Sequence, residues 1–201
     1  EYRGWGAGFL TAWFLFLSPR FFGQSMNNPK DIPFALGMIW GIYCIVRFIK
    51  VFPKPTWKDT LWLALSIGLA ISIRIGGLLL IPFLAVGMGL EYIFNWRHEY
   101  KIGGQELRKY VIRSMVACVG GYIAGLVFWP YGLEGPLDHP FVALGAMSEF
   151  STGIRMLFDD QHIMSSNVPW YYIPKCISIT SPIIIFLGIF VSPMLFFGKK
   201  Y

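Results

Sequence analysis

The stretch from Leu61 to Phe94 constrains this chain more than any other. It holds 34 nearly unbroken apolar residues, with Arg74 the one charge in its interior and Glu91 near its far end. A helix crosses roughly 30 Å of hydrocarbon in about 20 residues, so one straight span cannot use it all. Arg74-Ile75-Gly76-Gly77 offers a break near the middle. The flanking cations decide between one span and two. Arg47, Lys50, Lys54 and Lys58 precede the stretch; Arg97, Lys101, Arg108, Lys109 and Arg113 follow it. Two spans place both clusters on one side of a membrane and one span separates them, so the positive-inside rule selects two.

Composition extends this reading to the whole chain. Only 14% of the 201 residues are charged, where a soluble domain carries about a quarter. The expectation is an all-α, polytopic membrane protein, about six transmembrane helices in one module over residues 1–201, with an outer amphipathic helical loop. Candidate spans are Trp5–Leu17, Pro33–Val51, Leu61–Ile73, Ile75–Phe94, Val111–Trp129 and Pro182–Phe197. The first and third are short and need help from flanking residues, bilayer thinning or neighbouring helices. Six spans put twelve cations inside and five outside (Arg20, Lys30, Arg74, Arg155 and Lys175). Both ends then face the cytoplasm, while Leu17–Ile32 and Tyr131–Thr180 face a periplasm or lumen; a bacterial inner membrane is the expected location. The net charge of +6 lies in clusters beside apolar runs, which fits cytoplasmic anchoring and not nucleic-acid binding. Cys44, Cys118 and Cys176 have no metal or redox spacing. The absence of an initiator Met and a start almost directly in a span read as a piece of a larger polytopic protein.

Two outer regions concentrate polar chemistry. The polar loop Leu17–Ile32 carries Arg20, Gln24, Asn27, Asn28, Lys30 and Asp31 between apolar segments. Asp31 has two readings: a carboxylate capping the helix that follows, or a metal ligand or donor-site carboxylate. Arg20 and Lys30 either neutralise a phosphate or snorkel to lipid headgroups. Arg74 either faces a lipid phosphate or anchors the interface. In the second region, Ala143, Met147, Phe150, Ile154 and Leu157 recur at helical spacing, predicting a helix lying in the interface or packed on the outer domain. Asp159-x-x-His162 either sets two metal ligands on one helical face or belongs to a solvated loop. Trp170, Tyr171 and Lys175, in Pro169–Lys175, form either an aromatic belt or a wall for a sugar or polyprenyl chain with a cation near its phosphate. No Gly-x-Gly-x-x-Gly, Walker loop or Gly-x-Ser-x-Gly in its required context is present.

Three stretches resemble the GT-C class of membrane glycosyltransferases, in particular the protein O-mannosyltransferase and aminoarabinose-transferase group. They are SPRFFGQSMNNPKDIPFALG, LALSIGLAISIRIGGLLLIP, and WPYGLEGPLDHPFVALGAMSEFS followed by NVPWYYIPKCISITSP. They resemble that group's outer loop with an Asp before a span, its glycine-containing hairpin with a basic turn, and its outer segment before a late span. The resemblance implies transfer of a sugar from a polyprenyl-phosphate donor to an acceptor hydroxyl on a protein, lipid or glycan, with inversion, at the outer face. Asp31 matches the group's second acidic motif, as a catalytic carboxylate or a ligand, with His162, of a divalent metal. Arg20, Lys30, Arg74 and Lys175 would contact donor phosphate, and Asn28, Trp170 and Tyr171 would wall the substrate. The group's usual general base lies in a first outer loop with no counterpart here, and the group has more than six spans. A transporter or flippase for a lipid-linked or anionic substrate is the alternative from another class; discontinuous helices repeated in two halves would mark it.

Overall fold

The computed structural model describes residues 4–97, 103–148 and 153–197. They fall into two compact units, Pro29–Glu149 and the pair Glu1–Asn28 with Phe150–Tyr201. In chain order the elements begin with α1 (Trp5–Leu17) and α2 (Pro19–Asn27). Next come α3 (Asp31–Lys50), α4 (Trp57–Ile73), a 3-10 turn (Ile75–Leu79), α5 (Leu80–Arg97) and α6 (Gly104–Val127). Two shorter helices, α7 (Pro130–Glu134) and α8 (His139–Ser148), close the larger unit. The chain then forms a hairpin of β1 (Arg155–Phe158) and β2 (Gln161–Met164), followed by α9 (Tyr172–Thr180) and α10 (Ile183–Phe197).

The larger unit is built around α4. The Thr56 hydroxyl accepts from the Asp59 N–H, and the Asp59 carboxylate accepts from the Thr56 N–H, a capping box that starts the helix. Asp59 also takes the Arg47 guanidinium at 3.2 Å, tying the start of α4 to the end of α3. Leu63, Ile67, Ala70 and Ile71 of α4 are almost completely buried. Gly121 and Gly125, four apart and so on one face of α6, let that helix lie directly on them. A Cβ at Gly121 would stand 2.8 Å from Ile67 Cβ, and one at Gly125 would stand 2.7 Å from Ile71 Cβ. The pairing rises together along both helices, so α4 and α6 are parallel. On the other side, Gly37 of α3 meets Ala70 and Arg47 meets Asp59, so α3 is antiparallel to α4. Gly41 against Leu80 and Ile45 against Gly87 set α5 parallel to α3. Small residues that admit another backbone are the usual means by which helices associate where apolar burial alone gives no preference.

The long apolar stretch breaks at Arg74. That residue is extended (φ −149°, ψ 142°) and ends α4. The following turn is held by the Gly77 N–H donating to the Arg74 carbonyl at 2.9 Å. At Gly77 the turn lies so close to the Ala70–Ile71 backbone that no side chain fits. Chain direction therefore reverses between α4 and α5.

Among the described residues, three helices are long and apolar enough to cross a membrane: Asp31–Lys50, Ile75–Ile93 and Gly104–Val127. A fourth arises only if α9 and α10, bent by 106° at Ser181-Pro182, act as one broken span. The other expected spans fall short in length: α1 has 13 residues and α4 has 17, the latter only about 25 Å of helix.

Three local expectations are corrected. Much of the polar segment Leu17–Ile32 is not a loop but helix α2, started by Pro19 at its first position, where proline's missing N–H costs nothing. Asp31 is the first residue of α3, with Lys30 at the cap position, so Asp31 is not the N-cap. The expected helix through Ala143, Met147, Phe150, Ile154 and Leu157 is present as α8 over His139–Ser148, and Ile154 is no longer helical. Phe150 lies outside the described residues, and Leu157 belongs to β1. Leu157 faces His162 across an antiparallel pair whose two-residue turn is Asp159-Asp160. Both aspartates have positive φ, 51° and 59°, the left-handed geometry such turns demand and that Asp tolerates better than most residues. Asp159 and His162 are consequently not on one helical face.

Candidate functional site

The expected site residues gather in two clusters, one in each unit. In the larger unit, the Arg74 Nη2 lies 2.6 Å from Asp31 Oδ1, with the two side chains 36% and 49% exposed. Asp31 stands in the first turn of α3 and Arg74 at the C-terminal end of α4. Each charge is thus where its own helix dipole favours it. Phe34, one turn into α3, lies against Gly76, where a Cβ would stand 3.2 Å from the ring tip, so ring and turn hold the two charges in register. Lys30 precedes Asp31 at the same end of the helix. One carboxylate contact leaves the Arg74 guanidinium with further N–H donors, and the Asp31 carboxylate beside it is half-exposed. The arrangement can bind a phosphate and a polar acceptor side by side.

The same unit contributes a residue that sequence reading passed over. His139, at the start of α8, stacks on Tyr131 with ring centroids 4.3 Å apart, and its Nδ1 is 2.7 Å from the Tyr131 carbonyl. The Tyr122 hydroxyl donates to the Pro136 carbonyl. These contacts make Trp129–Pro140 an ordered corner, and α8 packs on the 3-10 turn that follows Arg74. A Gly-Pro and a His-Pro step within the six residues Gly135–Pro140 were the available signal.

In the smaller unit, Arg20 of α2 donates from Nη1 to Thr180 Oγ1 at 2.7 Å. This bond lies in a cleft of about 410 Å³ lined by Tyr172, Ile173, Cys176 and Ile177 as well. Lys175 forms an ion pair with Asp159 of the hairpin turn and stands 5.0 Å from the centre of the Phe158 ring. Phe158 packs against Tyr172 at 5.0 Å and Tyr171 at 5.9 Å. The aromatic segment therefore carries the hairpin, and a phosphate at Lys175 would share that cation with Asp159. Trp170 is 88% exposed and meets Tyr171 edge-on. Asn28 ends α2, its N–H donating to the Gln24 carbonyl at 2.8 Å. Asp31 and His162 belong to different units, and no group of three or more His, Cys, Asp or Glu able to hold a metal occurs among the described residues.

Comparison with family models, with curated proteins and with solved structures finds no match for this chain.

Proposed function

We propose that this chain is part of an integral-membrane glycosyltransferase. It moves a sugar from a polyprenyl-phosphate donor to an acceptor hydroxyl at the outer face, with inversion. The observation that carries the reading is the Asp31–Arg74 pair, 2.6 Å apart, at the end of the helical unit opposite the Arg47–Asp59 end. The positive-inside rule assigns the cation-rich end to the cytoplasm, which leaves the pair on the outer, periplasmic side. Arg74 and Lys30 neutralise the donor phosphate. The acceptor oxygen attacks the anomeric carbon from the face opposite the phosphate, its proton passes to a carboxylate, and the carbon–oxygen bond to the lipid phosphate breaks. Asp31 orients the acceptor, or a divalent metal, beside the departing phosphate. The resemblance assigns the carboxylate that takes the proton, the general base, to the group's first outer loop, which has no counterpart in these residues.

In the full protein, Asp31→Asn keeps the shape and removes the charge. Sugar transfer is expected to fall by at least about a hundredfold with the unfolding temperature little changed, because a half-exposed ion pair contributes about 1 kcal/mol or less. Wild-type turnover in this variant would remove Asp31 from the mechanism. The transporter or flippase reading draws on one observation, the 106° break between α9 and α10, but among the described residues that break is not repeated, as a transporter's two halves require. Reconstituted protein that carries the lipid-linked sugar across a bilayer intact, with no transfer, would establish that reading instead.

A further inference from the structure

The opposite end of the helical unit holds a second site. A cleft of about 430 Å³ lies between the 53–57 connection and the first turns of α6, walled there by Glu106, Lys109 and Arg113. Lys54 bridges the two walls through Glu106 at 2.7 Å. Lys109 and Arg113 have no carboxylate within ion-pair distance among the described residues. The Arg113 guanidinium instead lies 5.2 Å from the centre of the Trp57 ring, a contact that positions it while leaving its N–H fork available. Three cations against one carboxylate make the cleft a net anion site. Pro53 and Pro55 stiffen one wall.

The surroundings identify the kind of anion. Trp57, Leu61 and Leu65, spaced four apart on α4, are 63%, 58% and 44% exposed and run as an apolar stripe away from the cleft along the helix. A polar cleft continuous with an apolar stripe matches an amphiphile, a phosphate headgroup with its chains along the helix, and a soluble phosphate would have no use for the stripe. We infer that this cleft binds the phosphate headgroup of an anionic membrane lipid in the leaflet facing the basic end of the unit. Basic pockets between helices on the cytoplasmic side suit such headgroups. The inference does not depend on glycosyl transfer.

The test uses the full chain in nanodiscs of phosphatidylcholine with or without phosphatidylglycerol, reading retained lipid by native mass spectrometry and unfolding temperature. Phosphatidylglycerol should be retained and should raise the unfolding temperature. The double variant Lys109→Gln/Arg113→Gln should weaken that binding roughly tenfold or more. Arg108→Gln, which changes a cation on α6 outside the cleft, should leave it unchanged. Stabilisation by inorganic phosphate in pure phosphatidylcholine, or equal loss of lipid in the Arg108 variant, would overturn the assignment.

Discussion

Helices α1 and α4 are both strongly apolar, yet they do opposite things with that surface. α4 buries Leu63, Ile67, Ala70 and Ile71 almost completely, whereas α1 has no buried residue. Hydrophobicity does not separate them; the fit of small residues does. Gly68 of α4 faces Ala124 and the backbone of Gly121 and Gly125, with a Cβ there 2.9 Å from Ala124 Cβ. Gly6 and Gly8 of α1 have nothing within 4 Å. The larger unit is thus held by backbones brought close at glycines. The described parts of the smaller unit are held by polar and aromatic links: Arg20 to Thr180, Lys175 to Asp159, and Phe158 to Tyr171 and Tyr172. In an apolar solvent an apolar surface gains little from covering itself, so packing shape decides which helices join.

The sharpest way to break this contrast is a matched pair of substitutions. Gly125→Leu forces four carbons into a contact where even a Cβ would stand 2.7 Å from Ile71 Cβ. It should cost about 3 kcal/mol and lower the unfolding temperature in detergent accordingly. Gly8→Leu should leave that temperature unchanged or slightly higher, since leucine is the better helix former. Equal losses would show that α1 is packed as tightly as α6.

A smaller effect tests the capping box. Asp59 is 7% exposed. Burial raises its carboxyl pKa, but the Thr56 hydrogen bonds and the Arg47 guanidinium outweigh it and hold the group below its ordinary value. A depressed folded pKa adds stability above the unfolded pKa, near 3.9, and that stability is lost as pH falls through the folded value. Asp59→Ala should therefore cost about 1–2 kcal/mol at neutral pH. The gap from wild type should close as pH drops below about 4; a pH-independent gap would assign the cost to packing.

The sequence made some of this plain for identifiable reasons. One charge and two adjacent glycines inside an apolar run mark a reversal, and the chain reverses there. That reversal brings Arg74 to the end of the bundle where Asp31 starts α3, although nothing in the sequence fixed contact between them. The Gly37–Gly41 and Gly121–Gly125 spacings were legible signals of close helix packing, but glycine pairs invite a search for nucleotide loops and hide this use. Helix α2 was masked by its polar composition, despite Ser18-Pro19 at its start. The β-hairpin was obscured because its strands have only four residues each, too short for alternation to outweigh a helical stripe. Its Asp159-Asp160 turn also lacks the glycine that usually marks left-handed geometry. Asp159 as the partner of Lys175 follows only once that turn is known.

The central claim is that Asp31 and Arg74 serve a phosphorylated donor and do more than tie α3 to α4. Exchanging the charges, Asp31→Arg with Arg74→Asp, separates these roles, because it rebuilds the ion pair while reversing its orientation toward the substrate. Measured together in the full protein after reconstitution, stability should stay within about 1–2 kcal/mol of wild type, the cost of placing each charge at the wrong helix end, while transfer from the polyprenyl-phosphate sugar is absent. Recovery of transfer along with stability would contradict the account and leave the pair as a structural strut.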